Sequence, residues 1–212
     1  MRSAALNPRR ICGYRVIVAL SPMVNAYADG ESVLMTAAIM SLAGSDDELA
    51  LVYAHELAHN VLRHVQAKRG NAIAGAVAGG LIDVALAVTV GADTGGGFSR
   101  IGGGVGAGAY SQSFESEADY VGGYYMTRAG YNLAKGPGFW AKMAASGGGE
   151  VREVARFGDT HPSGPERAAV LRRTHAEIRS KRAAGHALVP NIKTDEERAA
   201  EREARRASRD YD

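Results

Sequence analysis

An α+β fold, mainly helical and with a small antiparallel sheet near the N-terminus, follows from three features of this 212-residue sequence. Residues 14–20 and 22–36 are rich in Val, Ile, Leu, Met and Tyr, and Asp29-Gly30 stands between strand-like runs as a hairpin signal. Ser45-Asp46-Asp47-Glu48 has the form of a capping box, with Ser45 as N-cap and Glu48 at the third helical position. The helix it opens is predicted to run to about Arg69, where Gly70 can stop it.

The remaining elements follow in order. A second helix is expected over about Gln112–Ala129, ended by Gly130. A third covers about Asn132–Ala145, loosened by Gly136-Pro137-Gly138. Ser163-Gly164-Pro165-Glu166 is a second capping box, with proline in the first turn, and its helix should reach about Ala184, before Gly185. Thirteen of the 27 glycines fall between Gly70 and Gly108, so Gly91–Gly108 reads as a loop, as does Gly147-Gly148-Gly149. The chain divides into a lead over 1–13, one domain over 14–190 and a charged tail over 191–212.

Composition excludes several functions. The net charge of +2 argues against a dedicated nucleic-acid binder, which carries a clear basic excess. The single cysteine, Cys12, rules out an internal disulfide framework and any cysteine-based zinc finger. Arg9-Arg10 and the run Ile11–Leu20 imitate a signal peptide, but Arg15 interrupts the short apolar stretch, so no convincing signal is present. Residues 72–92 have the length of a membrane span, yet Asp83 sits in the middle, where a charge costs at least ~2.5 kcal/mol. A small-residue helix packed within the domain is the better reading. Gly102-x-Gly104-x-x-Ala107 matches a loose dinucleotide fingerprint, but no strand or βαβ unit frames it.

The chemistry lies in His55-Glu56-Leu57-Ala58-His59. Four residues on a helix advance about 400°, so His55 and His59 project from one face and both imidazoles can reach one Zn²⁺. Glu56 stands about 100° round the helix, beside that ion, where it can take a proton from an activated water. Leu51, Ala58 and Leu62 share the side of His55, so the histidines face the interior. A catalytic site needs a third protein ligand. His64, nine residues past His55, is half a turn out of phase and reads as a surface or core residue. Glu115 and Asp119 share a helix face, so Glu115 is a candidate ligand and Asp119 a candidate acceptor for a ligand histidine's other nitrogen. The alternative for both is an exposed acidic turn, which is the expectation for Glu117.

HExxH followed by Glu115-x-Glu117-Ala118-Asp119 resembles the M48 family of zinc metallopeptidases, which includes integral membrane proteases and soluble periplasmic relatives. Val24-Asn25-Ala26-Tyr27-Ala28, Ser45-Asp46-Asp47-Glu48-Leu49-Ala50, and Thr160-His161-Pro162 with Arg167 five residues beyond the proline are similar to further family motifs. The resemblance covers about residues 14–180 and is closest in style to the soluble periplasmic members. It implies a gluzincin-like domain with one zinc per chain on His55, His59 and Glu115, Glu56 as general base, and Asp119 bonded to a ligand histidine. It implies that His161 restrains activity or assists the transition state, and that Arg167 contacts substrate or pairs with an acid. Asn25, Ala26, Tyr27 and Ala28 would form an open sheet edge to which an extended polypeptide adds. A metalloendopeptidase acting on unfolded or misassembled proteins of the bacterial cell envelope is implied. The alternative is a zinc-binding chaperone or assembly factor that grips extended chains with little turnover. One zinc shared by His55, His59 and Glu115 puts both helices on one side of any membrane, so membrane contact is at most peripheral. Nothing in the sequence sets an oligomeric state.

Overall fold

The computed structural model describes residues 13–73, 77, 81, 110–146, 161 and 165–192. The Gly91–Gly108 stretch, Gly147-Gly148-Gly149, Ser163-Gly164, nearly all of 72–92 and the tail from Lys193 lie outside the described residues.

The apolar runs at the N-terminus form three strands, β1 (Arg15–Ala19), β2 (Ala26–Ala28) and β3 (Ser32–Thr36), in the order β1-β3-β2. Asp29 and Gly30 make the hairpin: Asp29 Oδ1 accepts from the backbone N–H of Glu31 and Ser32 at 2.8 and 2.6 Å, and Gly30 has φ +104°. β2 and β3 are antiparallel, with Tyr27 opposite Leu34. The wholly antiparallel sheet expected from sequence is corrected at β1, which pairs with β3 in parallel, Ile17 opposite Leu34. The chain reverses once before β2 and again at the hairpin, and β3 enters between the other two. Two reversals restore the original direction.

Thr36 ends β3 and caps a short helix that the sequence did not announce, α1 (Ala37–Leu42), its hydroxyl accepting from Ile39 N–H. α2 (Asp46–Val61) starts as expected, with Ser45 Oγ accepting from Glu48 N–H. The capping box is not reciprocal. Glu48 bonds instead to Gly44 N–H at 2.7 Å and to Lys142 Nζ at 2.6 Å. The helix does not run unbroken to Arg69. It stops at Leu62, and Arg63 adopts φ +59° before helix resumes as α3 over 64–73, passing through Gly70.

α4 (Gln112–Arg128) is capped by Ser111 and ended at Gly130, where φ is +94° and the N–H groups of Gly130 and Tyr131 bond back to Thr127 and Met126. A 3₁₀ turn (Leu133–Lys135) leads into α5 (Gly136–Ser146), and α6 (Pro165–Ala183) completes the described helices. α2 packs against α4, α4 against α6, and α6 against α5, around Leu51, Val121, Tyr124, Phe139, Leu171 and Ile178.

Gly122 decides how closely α2 and α4 approach. A β-carbon there would stand 2.9 Å from the carbonyl oxygen of Ala54 and 3.0 Å from the amide nitrogen of His55, both backbone atoms that cannot rotate away. Gly122→Ala is therefore expected to destabilise the fold by about 1–3 kcal/mol, the usual cost of overpacking, read as a lowered midpoint in chemical denaturation. An unchanged midpoint would mean that the helices are not in van der Waals contact there.

Candidate metal centre

α2 presents His55, Glu56 and His59, and α4 presents Glu115 and Asp119 from the stripe that also carries Gly122. His161 lies shortly before α6, whose first turns carry Arg167. All seven residues are at most 3% exposed. One donor atom from each of His55, His59, Glu115 and His161 lies within 4.8 Å of the others. Nε2 of His59 is 3.1 Å from Nε2 of His55 and 3.4 Å from Glu115 Oε1. His161 Nδ1 is 3.0 Å from that same oxygen and 3.3 Å from His55 Nε2.

Three imidazoles and a carboxylate converging in a buried space fit a divalent metal ion. Glu56 supports the fit. It is fully buried, and neither of its carboxylate oxygens accepts a hydrogen bond among the described residues. Such a group is costly unless something else in the cavity engages it. His161 Nε2 stands 3.4 Å from Glu56 Oε1.

The electrostatics of the cluster oppose burial at His55 and Glu115 but not at His59. Burial favours neutral His55, and the Arg167 charge adds to it, but the carboxylates of Glu115 and Asp119 more than offset both and raise its pKa to about 9. Burial holds His59 well below the ordinary imidazole value, with the neighbouring His55 and His161 reinforcing it. Burial favours neutral Glu115, yet the His55 charge and hydrogen bonds from the three histidines keep it far below the usual carboxylate range.

Asp119 Oδ1 is 3.0 Å from His55 Nδ1, which leaves His55 Nε2 facing the other donors. Arg167 forks onto the same carboxylate, donating from Nε and Nη2 at 2.8 Å each, and its Nη1 is 3.0 Å from Glu115 Oε2. Its guanidinium also lies over Trp140, 4.0 Å from the ring centroid. Of the two roles open to Arg167, this enclosed position corresponds to pairing with acids.

Five residues around the site were not assigned to it from the sequence. Tyr110 stacks on His59 at 4.0 Å between ring centroids, and Trp140 meets His55 edge-on at 5.3 Å. Asn60 donates to Ser32 O at 2.8 Å and accepts from Gly30 N–H at 2.7 Å, tying α2 to the hairpin. His64 is buried, with Nδ1 3.0 Å from His59 Nδ1, and Glu117 is 3.1 Å from its Nε2. His64 takes the core placement of its two expected ones and stands outside the converged donors, whereas Glu117, expected to be solvated, is partly buried against it; the contact of His64 with His59 was not expected. The phase argument assumed an unbroken helix, and the positive φ of Arg63 breaks it.

Ala26 and Ala28 of β2 are buried and Tyr27 is 43% exposed, and β2 occupies one edge of the sheet, next to Asn25. Among the described residues no helix is long and apolar enough to cross a membrane.

Comparison with known proteins agrees with this geometry. Residues 1–175 match the model of Peptidase family M48. The chain is 31% identical over 164 residues to the mitochondrial metalloendopeptidase OMA1 of Arabidopsis thaliana, covering 74% of this chain and 31% of that protein. It is 31% identical over 163 residues to the mitochondrial metalloendopeptidase OMA1 of Schizosaccharomyces pombe, covering 76% of this chain and 46% of that protein. The chain thus spans less than half the length of either relative. Both are mitochondrial by name, so they lend no support to a bacterial envelope location. A family match over most of the chain, together with these two relatives, shows that the chain belongs to Peptidase family M48.

Proposed function

We propose that this chain is a zinc-dependent endopeptidase that hydrolyses peptide bonds in unfolded or misassembled proteins. The observation that carries the reading is the buried, unbonded carboxylate of Glu56 beside the converged donors of His55, His59 and Glu115. Those three residues would hold one zinc ion, which when bound supplies Lewis-acid polarisation of a carbonyl and a water of lowered pKa. Glu56 would accept the proton of the attacking water and deliver it to the leaving amine. Asp119 keeps His55 in the tautomer with its proton on Nδ1, and Arg167 holds Asp119 and Glu115 in place.

The fourth donor adds regulation. A catalytic centre keeps one position open, and His161 lies as near the other donors as they do to one another. We read this as a latent arrangement in which His161 fills the position that water needs. The same feature favours the second reading, a zinc-holding assembly factor that grips extended chains with little turnover. In either case an extended polypeptide would add along β2, beside Asn25, Ala26, Tyr27 and Ala28, using backbone groups and so tolerating many sequences. Ile73, Val77 and Leu81, exposed at intervals of four residues, support a peripheral rather than spanning contact with a membrane.

Two measurements test these roles. Glu56→Gln is expected to lower casein hydrolysis by about 10²–10⁴-fold while retaining one zinc per chain, the range lost with a general base. Zinc binding without hydrolysis by either protein would favour the assembly-factor reading. His161→Ala is expected to raise hydrolysis with zinc content unchanged, checked by metal analysis on the assayed sample. Loss of both zinc and fold would make His161 a structural ligand instead.

A further inference from the structure

His59 and His64 face each other through their Nδ1 atoms at 3.0 Å, and only one proton fits between them. Two lone pairs or two N–H groups would repel, so one ring donates and the other accepts. His64 Nε2 is 3.1 Å from Glu117 Oε2, and a carboxylate accepts only. If His59 donates, neutral His64 carries its proton on Nε2 and gives it to Glu117, and every contact is satisfied. If His64 donates, its neutral ring turns a lone pair toward Glu117, and the proton of His59 sits on Nε2 among the other donors. The first assignment satisfies all three groups without adding a charge.

We propose that His64 and Glu117 form a positioning relay for His59, His59 Nδ1–H donating to His64 and His64 Nε2–H to Glu117, which leaves the Nε2 lone pair of His59 directed at the metal. The proposal rests on the metal reading above and extends it to residues with no place in that reading. The relay is built rather than accidental. His64 is 2% exposed and stacks on Phe114 at 4.3 Å with the rings 8° from parallel, while His59 stacks on Tyr110. Phe114 and Glu117 are three residues apart on α4, so one helix supplies both the stacking face and the terminal acceptor. Each ligand histidine then has its own backing. Asp119 serves His55 directly, and Glu117 serves His59 through one imidazole. Arg63 makes this reachable, because its positive φ turns the chain so that His64 folds back onto His59.

The test measures zinc affinity by competition with a chelating indicator, the absorption spectrum of the cobalt(II)-loaded protein, and the unfolding midpoint of the metal-free protein. Parent, His64→Leu, His64→Asn, Glu117→Ala and the double variant His64→Leu with Glu117→Ala are compared. His64→Leu is expected to weaken zinc binding by about 10–100-fold and to alter the cobalt spectrum, the usual effect of losing a ligand's hydrogen-bond partner. His64→Asn keeps an acceptor near the position of Nδ1 and should recover most of that loss. Glu117→Ala should weaken binding alone but add nothing to His64→Leu, because the two act in series. If His64→Leu lowers the metal-free midpoint too far to be loaded, His64→Asn and Glu117→Ala, at a partly exposed position, decide the matter. Unchanged affinity in His64→Leu, no recovery in His64→Asn, or additive losses would overturn the relay alone. Failure of the parent to bind zinc would overturn both the relay and the metal reading.

Discussion

Charge removed from water has to be paired, and this molecule removes a great deal of it at one point. His55, Glu56, His59, Glu115, Asp119, His161 and Arg167 are all nearly inaccessible. An isolated buried ion costs several kcal/mol, so such a cluster persists only when each group has a counterpart. Arg167 is the counterpart to both helical carboxylates, and it comes from a different helix. The position of α6 against α4 is thus bound up with charge balance as well as with Leu171 and Ile178. Glu56 is the member both of whose oxygens the surrounding hydrogen bonds leave unserved, and it is the one proposed above to carry a changing proton.

The apolar framework is arranged around that cluster. Glu115, Asp119 and Gly122 lie on one stripe of α4, and the missing side chain at Gly122 brings the stripe against the backbone of Ala54 and His55. The two carboxylates therefore reach across a short gap rather than along a flexible loop. Trp140 and Tyr110 close the sides, each against a different histidine. Rigid aromatic walls restrict imidazole rotation at little entropic cost, which suits donors that must hold one orientation.

Local periodicity carried much of this into the sequence. The four-residue spacing of His55 and His59, and of Glu115 and Asp119, assigns each pair to a common face once the helices are identified by Ser45 and Gly130. What spacing does not carry is a break in the helix. Nothing in Leu62-Arg63-His64 resembles a stop signal, since Arg63 is not glycine, so spacing kept His64 out of the donor set without showing that it folds back onto His59 Nδ1. The parallel pairing of β1 was hidden for a similar reason. The Asp29-Gly30 turn specifies its own hairpin, but the side on which β1 joins depends on tertiary packing. Arg167, Tyr110 and Trp140 meet the histidines only through contacts between separate elements, which no local pattern encodes. The departure of Glu48 from a reciprocal capping box reflects competition from Lys142, almost a hundred residues away.

Asn60 follows directly on His59 and clasps the hairpin through both Gly30 and Ser32. That clasp makes the edge strand and the donor helix one rigid body, with β2 and the imidazoles at a fixed offset. A strand presents equivalent backbone groups only every second residue, so a polypeptide added along β2 as proposed would be indexed past the donors, with the same face presented, only in steps of about 6.6 Å. Intermediate positions would reverse its faces. Selection among bonds on such a ruler would be set by parity along the proposed bound chain, with residues of alternate number competing as two separate sets.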